Sequence, residues 1–92
     1  AQRTSADLES LYRRALFLLD EGRLEAAGRV ALACIVEQPF DPRAFLLSAT
    51  VNENLGRYAL AERMLRRVLV IDPDSAEAQL RLELLLSRSR RP

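Results

Sequence analysis

Two acidic pairs, Asp20-Glu21 and Asp72 with Asp74, are the groups of this 92-residue chain whose type and spacing suggest acid–base chemistry or cation binding. Each falls where a helix is expected to end or begin, and capping accounts for it there. The sequence has no histidine, which removes a histidine triad, a histidine general base and the commonest metal ligand. One cysteine, Cys34, can form no internal disulfide and no structural zinc site, which needs about four ligands. It stands among Leu32, Ala33, Ile35 and Val36, and reads as a small buried thiol rather than a reactive one. The three glycines are isolated, so no loop is built to cradle a phosphate. No catalytic residue, metal or cofactor is expected, and what remains is a chain that acts through its surface.

The charge balance narrows that surface. Fourteen basic and 13 acidic residues are interspersed and leave a net charge of +1. A nucleic-acid-binding face would need a clear basic excess, so no nucleic-acid partner is expected. Arg66-Arg67 reads as a solvated face and Arg88-Arg90-Arg91 as a favourable helix C-terminus, with phosphate binding as the alternative. All 14 basic residues are arginine, the codon bias of a GC-rich bacterial genome. No apolar run approaches the roughly 20 residues that cross a bilayer, and no stretch reads as a signal peptide. A soluble, cytoplasmic protein without membrane insertion is the expectation.

The elements follow from a repeat. "LDEGRLEAAGRVALACIVEQPFD" (19–41) is answered at a fixed offset within "NENLGRYALAERMLRRVLVIDPDS" (52–75). Gly22 answers Gly56, Ala27 answers Ala61, Val36 answers Val70 and Pro39 answers Pro73, while upstream Ala15 answers Ala49. Leu8, Leu11, Tyr12, Ala15, Leu16, Leu18 and Leu19 at helical spacing predict a helix over 8–20, led in by a polar segment 1–7 with Thr4 and Asp7 as a capping box. Gly22 ends it, since glycine tolerates a left-handed stop. A second helix covers 24–37, with Pro39 beyond its end. Asp41-Pro42 restarts the pattern as an N-cap followed by proline in the first turn. A third helix runs to about Leu55, a fourth covers about 58–71, and Asp74 with Glu77 caps a fifth over 76–90. Strand signals are absent. With aromatic residues at only 5%, an aliphatic core is expected, and 18 leucines supply it. Ala15, Ala27, Ala49 and Ala61 let paired helices approach, with Leu11, Leu24, Phe45 and Tyr58 filling the space between.

The period of 34, with Phe45, Ala49, Gly56, Tyr58, Ala61 and Pro73 in order, resembles the tetratricopeptide repeat. The first repeat matches through Leu11, Ala15, Gly22, Ala27 and Pro39, and the last helix through Ala78 and Leu80. It departs at Glu83, where the earlier repeats carry alanine, which suits a cap. The resemblance implies an all-α, right-handed superhelical α-solenoid: repeat one over 8–41, repeat two over 42–75, a capping helix over 76–90 and a tail 91–92. Leu11-Tyr12, Asp41-Arg43-Phe45 and Gly56-Tyr58-Ala61 are also similar in cadence to small chaperones of bacterial type III secretion. Those carry a longer helical N-terminus and a full third repeat.

In such folds the first helices of successive repeats line a concave groove. The resemblance assigns to it Glu9, Tyr12, Arg13, Leu16, Leu19 and Asp20 from the first helix. It adds Arg43, Leu46, Leu47, Thr50, Glu53 and Asn54 from the third, and Leu80 and Leu84 from the last. Related modules that hold acidic C-termini of heat-shock chaperones use a clamp of lysine, asparagine and arginine. Tyr12, Leu16 and Leu47 stand at the matching places here, so that activity is not expected. The groove is aliphatic instead and suits a protein or peptide with apolar anchors, as for a secretion or assembly chaperone. Alternatively, with so few repeats, these side chains close on one another as core.

The last helix carries leucines on more than one face. Roughly three repeat units are needed for stability and this chain has two and a half. Leu82, Leu85 and Leu86 are therefore expected to face a partner or a second copy, as a heterodimer or homodimer. On that expectation, glutamate at Leu82 and Leu85 weakens assembly and spares the helices. A self-associating scaffold is the alternative function.

Overall fold

The computed structural model describes residues 5–89. Five α-helices follow one another: α1 (Ser5–Asp20), α2 (Leu24–Glu37), α3 (Pro42–Asn54), α4 (Tyr58–Ile71) and α5 (Ala76–Ser89). There is no strand among the described residues. The period persists in space. Leu24 and Glu37 bound α2 as Tyr58 and Ile71 bound α4, and Pro42 opens α3 as Ala76 opens α5, each pair at the offset of the sequence repeat. α1 pairs with α2 and α3 with α4; α2 joins the two hairpins and α5 lies on α4. The helix α1 starts earlier than the apolar spacing implies. Asp7 in its first turn favours that extension by opposing the helix dipole. The Thr4 cap, Arg90, Arg91 and the tail lie outside the described residues.

The punctuation explains why the helices stop where they do. Gly22 and Gly56 have φ of 73° and 76°, the left-handed region that residues with a Cβ avoid. Gly22 N–H donates to the Leu19 carbonyl at 3.0 Å and Arg23 N–H to that of Leu18 at 2.9 Å, and Gly56 and Arg57 repeat the pattern on Glu53 and Asn52. These paired bonds satisfy carbonyls that the helix end would leave open. At α3, the Asp41 carboxylate accepts from Arg43 N–H at 2.9 Å and Pro42 opens the first turn. The cap of α5 differs from expectation. Ser75 Oγ accepts from Ala78 N–H at 3.2 Å, while Asp72 turns back on Asp74 N–H at 3.3 Å, so Asp74 belongs to the turn. Glu77 reaches Arg81, one turn on, instead of the cap.

Small side chains set the packing. Ala15, Ala27, Ala31, Ala44, Ala49, Ala61 and Ala78 have no exposed surface at all. Around them lie three linked clusters: Tyr12, Cys34 and Leu47 at the first hairpin, Leu18 and Val51 beside it, and Phe45, Leu65, Val68, Leu82 and Leu85 at the second. Tyr58 does not fill the interhelical space as expected. It is half exposed, with the Arg88 guanidinium 5.5 Å from its ring centroid.

In α5 the expected interface leucines prove to be core. Leu82 and Leu85 are buried against α4, and Leu86 packs half-buried against the same cluster. The leucines left outside are Leu80 and Leu84, 56% and 61% exposed. The reason is the angular step of the helix: Ala78, Leu82 and Leu85 form one stripe, and Leu80 and Leu84 fall off it. Glutamate at both Leu82 and Leu85 would bury charge without partners. Thermal unfolding followed by circular dichroism should show that double variant losing its cooperative transition rather than only dissociating. In the same measurement Leu65→Ala should cost about 2–5 kcal/mol. Gly56→Ala, whose new Cβ meets nothing within 4 Å, should cost only the conformational ~1–2 kcal/mol.

Candidate functional site

The first helices of the successive hairpins, α1 and α3, turn one face to a common depression, and α5 closes it. Because the hairpins repeat at one fixed offset, equivalent positions recur on the three helices: Glu9, Arg43 and Glu77; Arg13, Leu47 and Arg81; Leu16, Thr50 and Leu84. The depression holds about 380 Å³. Tyr12, Arg13, Leu16 and Leu19 line it from α1, Arg43, Leu46, Leu47 and Thr50 from α3, and Glu9 stands at its edge. Glu77 and Arg81 complete it from α5, two residues that the sequence reading did not select although the repeat offset from Arg43 and Leu47 points to them. Glu53 and Leu84 line an adjoining depression of about 410 Å³ with Arg88, and Arg81 stands between the two. Asn54 is exposed and donates from Nδ2 to the Thr50 carbonyl at 2.8 Å, fixed to its own helix. Leu80 and Asp20 line neither depression.

Tyr12 and Leu47 are buried and form the floor, whereas Leu16 is half exposed. The site therefore combines an aliphatic floor with a charged rim. On one side of the rim, Arg43 Nη1 donates to Glu9 at 2.8 Å and Nη2 to Asp41 at 2.8 Å, with Nε bridging both Asp41 oxygens at 3.2 Å. The same guanidinium lies 4.5 Å from the Tyr12 ring centroid. Hydrogen bonds to Asp41 and then Glu9 raise the pKa of Arg43 further, so its charge is permanent. More than half of its side chain is exposed, so these pairs add little stability and chiefly fix orientation. Burial alone would raise the Asp41 pKa, but the side-chain and backbone hydrogen bonds of Arg43 outweigh it and hold the carboxyl below its ordinary range. The Tyr12 hydroxyl is buried without a well-aligned hydrogen-bond partner. That burial, and then the charge of Asp41, push its ionisation well above the ordinary tyrosine range.

On the other side, Arg81 Nη2 donates to Thr50 Oγ1 at 2.8 Å and to Glu53 at 3.3 Å, and Nη1 to Glu77 at 3.2 Å. Thr50 in turn donates to the Leu46 carbonyl at 3.1 Å, so α5 is tied to α3 across the groove. Among the described residues no three acidic or cysteine side chains gather to hold a metal, and Cys34 is buried. What the arrangement offers is an apolar floor for side-chain anchors and polar groups at the rim for a backbone.

Fold and groove together are those of an all-α helical-repeat array, similar to tetratricopeptide-repeat proteins. The tetratricopeptide repeat family model matches residues 42–84. Among solved structures, the chain is similar to the type III secretion translocator chaperone SycD of Yersinia enterocolitica, with a TM-score of 0.89 and 27% identity over 94% of this chain and 64% of that one. SycD in complex with a peptide of the translocator YopD matches with a TM-score of 0.88 and 27% identity, over 94% and 66% of the two chains. An alternative dimer of SycD matches with a TM-score of 0.88 and 27% identity, over 94% and 65%. This chain thus spans just under two thirds of the length of the SycD chains it matches. No curated protein sequence matches it.

The Asp41–Arg43–Tyr12 arrangement has a pH signature. The Asp41 pKa is lowered on folding, so its stabilisation is present above the ordinary carboxylate pKa of about 4 and is lost as pH falls through the folded value. The Tyr12 pKa is raised on folding, so stability is intact below about pH 10 and declines as pH rises further. Chemical denaturation across pH should show Asp41→Asn, which still caps α3, flattening the acid limb. Tyr12→Phe should flatten the alkaline limb and cost little at neutral pH, because it removes a buried hydroxyl whose approach to Asp41 is poorly aligned.

Proposed function

We propose that this chain is a non-catalytic binding module that holds an apolar segment of a partner protein in the groove of α1, α3 and α5. In its most concrete form it is a bacterial cytoplasmic chaperone that keeps a secretion or assembly partner soluble. The observation that carries this reading is the aliphatic lining of Leu16, Leu46 and Leu47 within a fold that matches SycD, a chaperone solved with a translocator peptide. The units of the module are repeat one over 8–41, repeat two over 42–75 and the capping helix. No helix among the described residues is long and apolar enough to cross a membrane.

A lining of this kind favours burial of two or three aliphatic anchors, each gaining about 1.5–3 kcal/mol when removed from water. The rim then selects backbone and charge. Self-association is the second reading, favoured by the exposed Leu80 and Leu84 and by the dimeric form of the SycD neighbour. It would use these two leucines and not Leu82 and Leu85.

Fluorescence anisotropy with labelled peptides bearing alternate leucines tests the first reading. Leu16→Asp, a change at a half-exposed position that should leave helix content intact, is expected to weaken binding at least about tenfold, or ~1.4 kcal/mol. Absence of binding, or binding indifferent to Leu16, overturns it. Sedimentation of the wild type and of Leu80→Glu/Leu84→Glu tests the second, since a dimer that the double change leaves intact would refute it.

A further inference from the structure

The charges around the groove are unequally satisfied. Arg43 is engaged by Glu9 and Asp41, and Arg81 by Glu53 and Glu77. Each glutamate of the rim is thereby paired from within the chain, Glu9 sharing Arg43 with Asp41, and Glu53 sharing Arg81 with Glu77. Arg13 stands in the same row as Leu47 and Arg81, lines the depression, is exposed, and has no ion-pair or hydrogen-bond partner among the described residues. An apolar floor is thus bordered by one cation whose counter-charge the described residues do not provide.

We infer that the groove selects a partner segment carrying an acidic side chain beside its apolar anchors, with the carboxylate pairing to Arg13. This rests on the groove reading above and goes beyond it by fixing the sign of the ligand's charge. Arg13 lies one helical turn from Leu16, a separation of about 5–6 Å. An extended chain advances about 3.3 Å per residue, so an acidic residue about two positions from the anchor seated on Leu16 reaches the guanidinium. A basic residue at that place would meet Arg13 and find every rim glutamate already occupied by Arg43 or Arg81. A guanidinium paired to a carboxylate at the edge of an apolar floor is screened less than one in open water. The donor of the carboxylate is a side chain of an internal segment, because the second depression beyond Arg81 lets the bound chain continue past the apolar floor.

The test uses the intact chain and three labelled peptides with the same alternating leucines, carrying aspartate, asparagine or lysine two residues before the first leucine. Anisotropy titrations should rank aspartate above asparagine above lysine, with about two- to fivefold between the extremes, as an exposed ion pair supplies. The ranking should shrink between about 0.01 M and 1 M salt, where the screening length falls from roughly 30 Å to 3 Å. Arg13→Gln should equalise the three peptides and Arg13→Glu should reverse their order, while both keep leucine-dependent binding. Equal affinities in the wild type, or an order that survives Arg13→Glu, overturn the assignment to Arg13 and leave the groove reading standing. Failure of all three peptides to bind overturns the groove reading and this inference with it.

Discussion

How closely two helices can approach is decided by what stands between them, and in this chain alanine stands there. Ala15 and Ala31 in the first hairpin, and Ala49 and Ala61 in the second, have no exposed surface. A larger side chain at any of them would push the axes apart and strain the fixed backbone turn at Gly22 or Gly56 that joins the pair. With the spacing set, the bulkier Phe45, Leu65 and Val68 can interlock around it. Ala44 and Ala78 do the same between hairpins, where α3 meets α2 and α5 meets α4. The fold is a chain of close approaches. Everything on the outer faces is a consequence of where those approaches place the helices.

The groove is one such consequence. A constant repeat length brings equivalent positions of α1, α3 and α5 side by side, so one amino acid choice per repeat becomes a row across the surface. Glu9, Arg43 and Glu77 form a charged row, Arg13 and Arg81 flank Leu47, and Leu16, Thr50 and Leu84 make a largely apolar row. The ion pairs at the edges are mostly exposed and contribute orientation more than stability. Arg81 is the exception, being largely covered and bonded to Thr50, Glu53 and Glu77 at once. It ties the last helix to the middle of the groove and separates the apolar depression from the more polar one beside it.

What the sequence made legible follows the strength of each local signal. Glycines in left-handed turns, an Asp-Pro helix start and alanines at a fixed offset each have one physical meaning, and the boundaries of α2 and α4 agree with those signals residue by residue. A run such as Leu80 to Leu86 has several meanings. Its leucines differ only in angle around the helix, and the neighbouring α4 decides which are core. Ser75 against Asp74 is a similar choice between two good capping residues, settled by Asp72 taking the turn. Glu77 and Arg81 were accessible through the offset, but on α5 the family pattern marks apolar positions and says nothing of charged ones. The partnerless state of Arg13 was not accessible from sequence, because it depends on which carboxylates reach which arginines in space.

The helix α5 has α4 as its main packing neighbour, whereas α2, α3 and α4 are each held on two sides. In an array held by nearest neighbours, opening starts at an end and needs only the last interface to be broken. Detachment of α5 would remove Glu77 and Arg81 from the groove while α1 and α3 kept the rest of it together. A segment lying across all three helices would oppose that detachment, so occupancy and fraying become linked equilibria. Amide hydrogen exchange would then report the ligand at the backbone of α5, far from most of the side chains that the ligand touches.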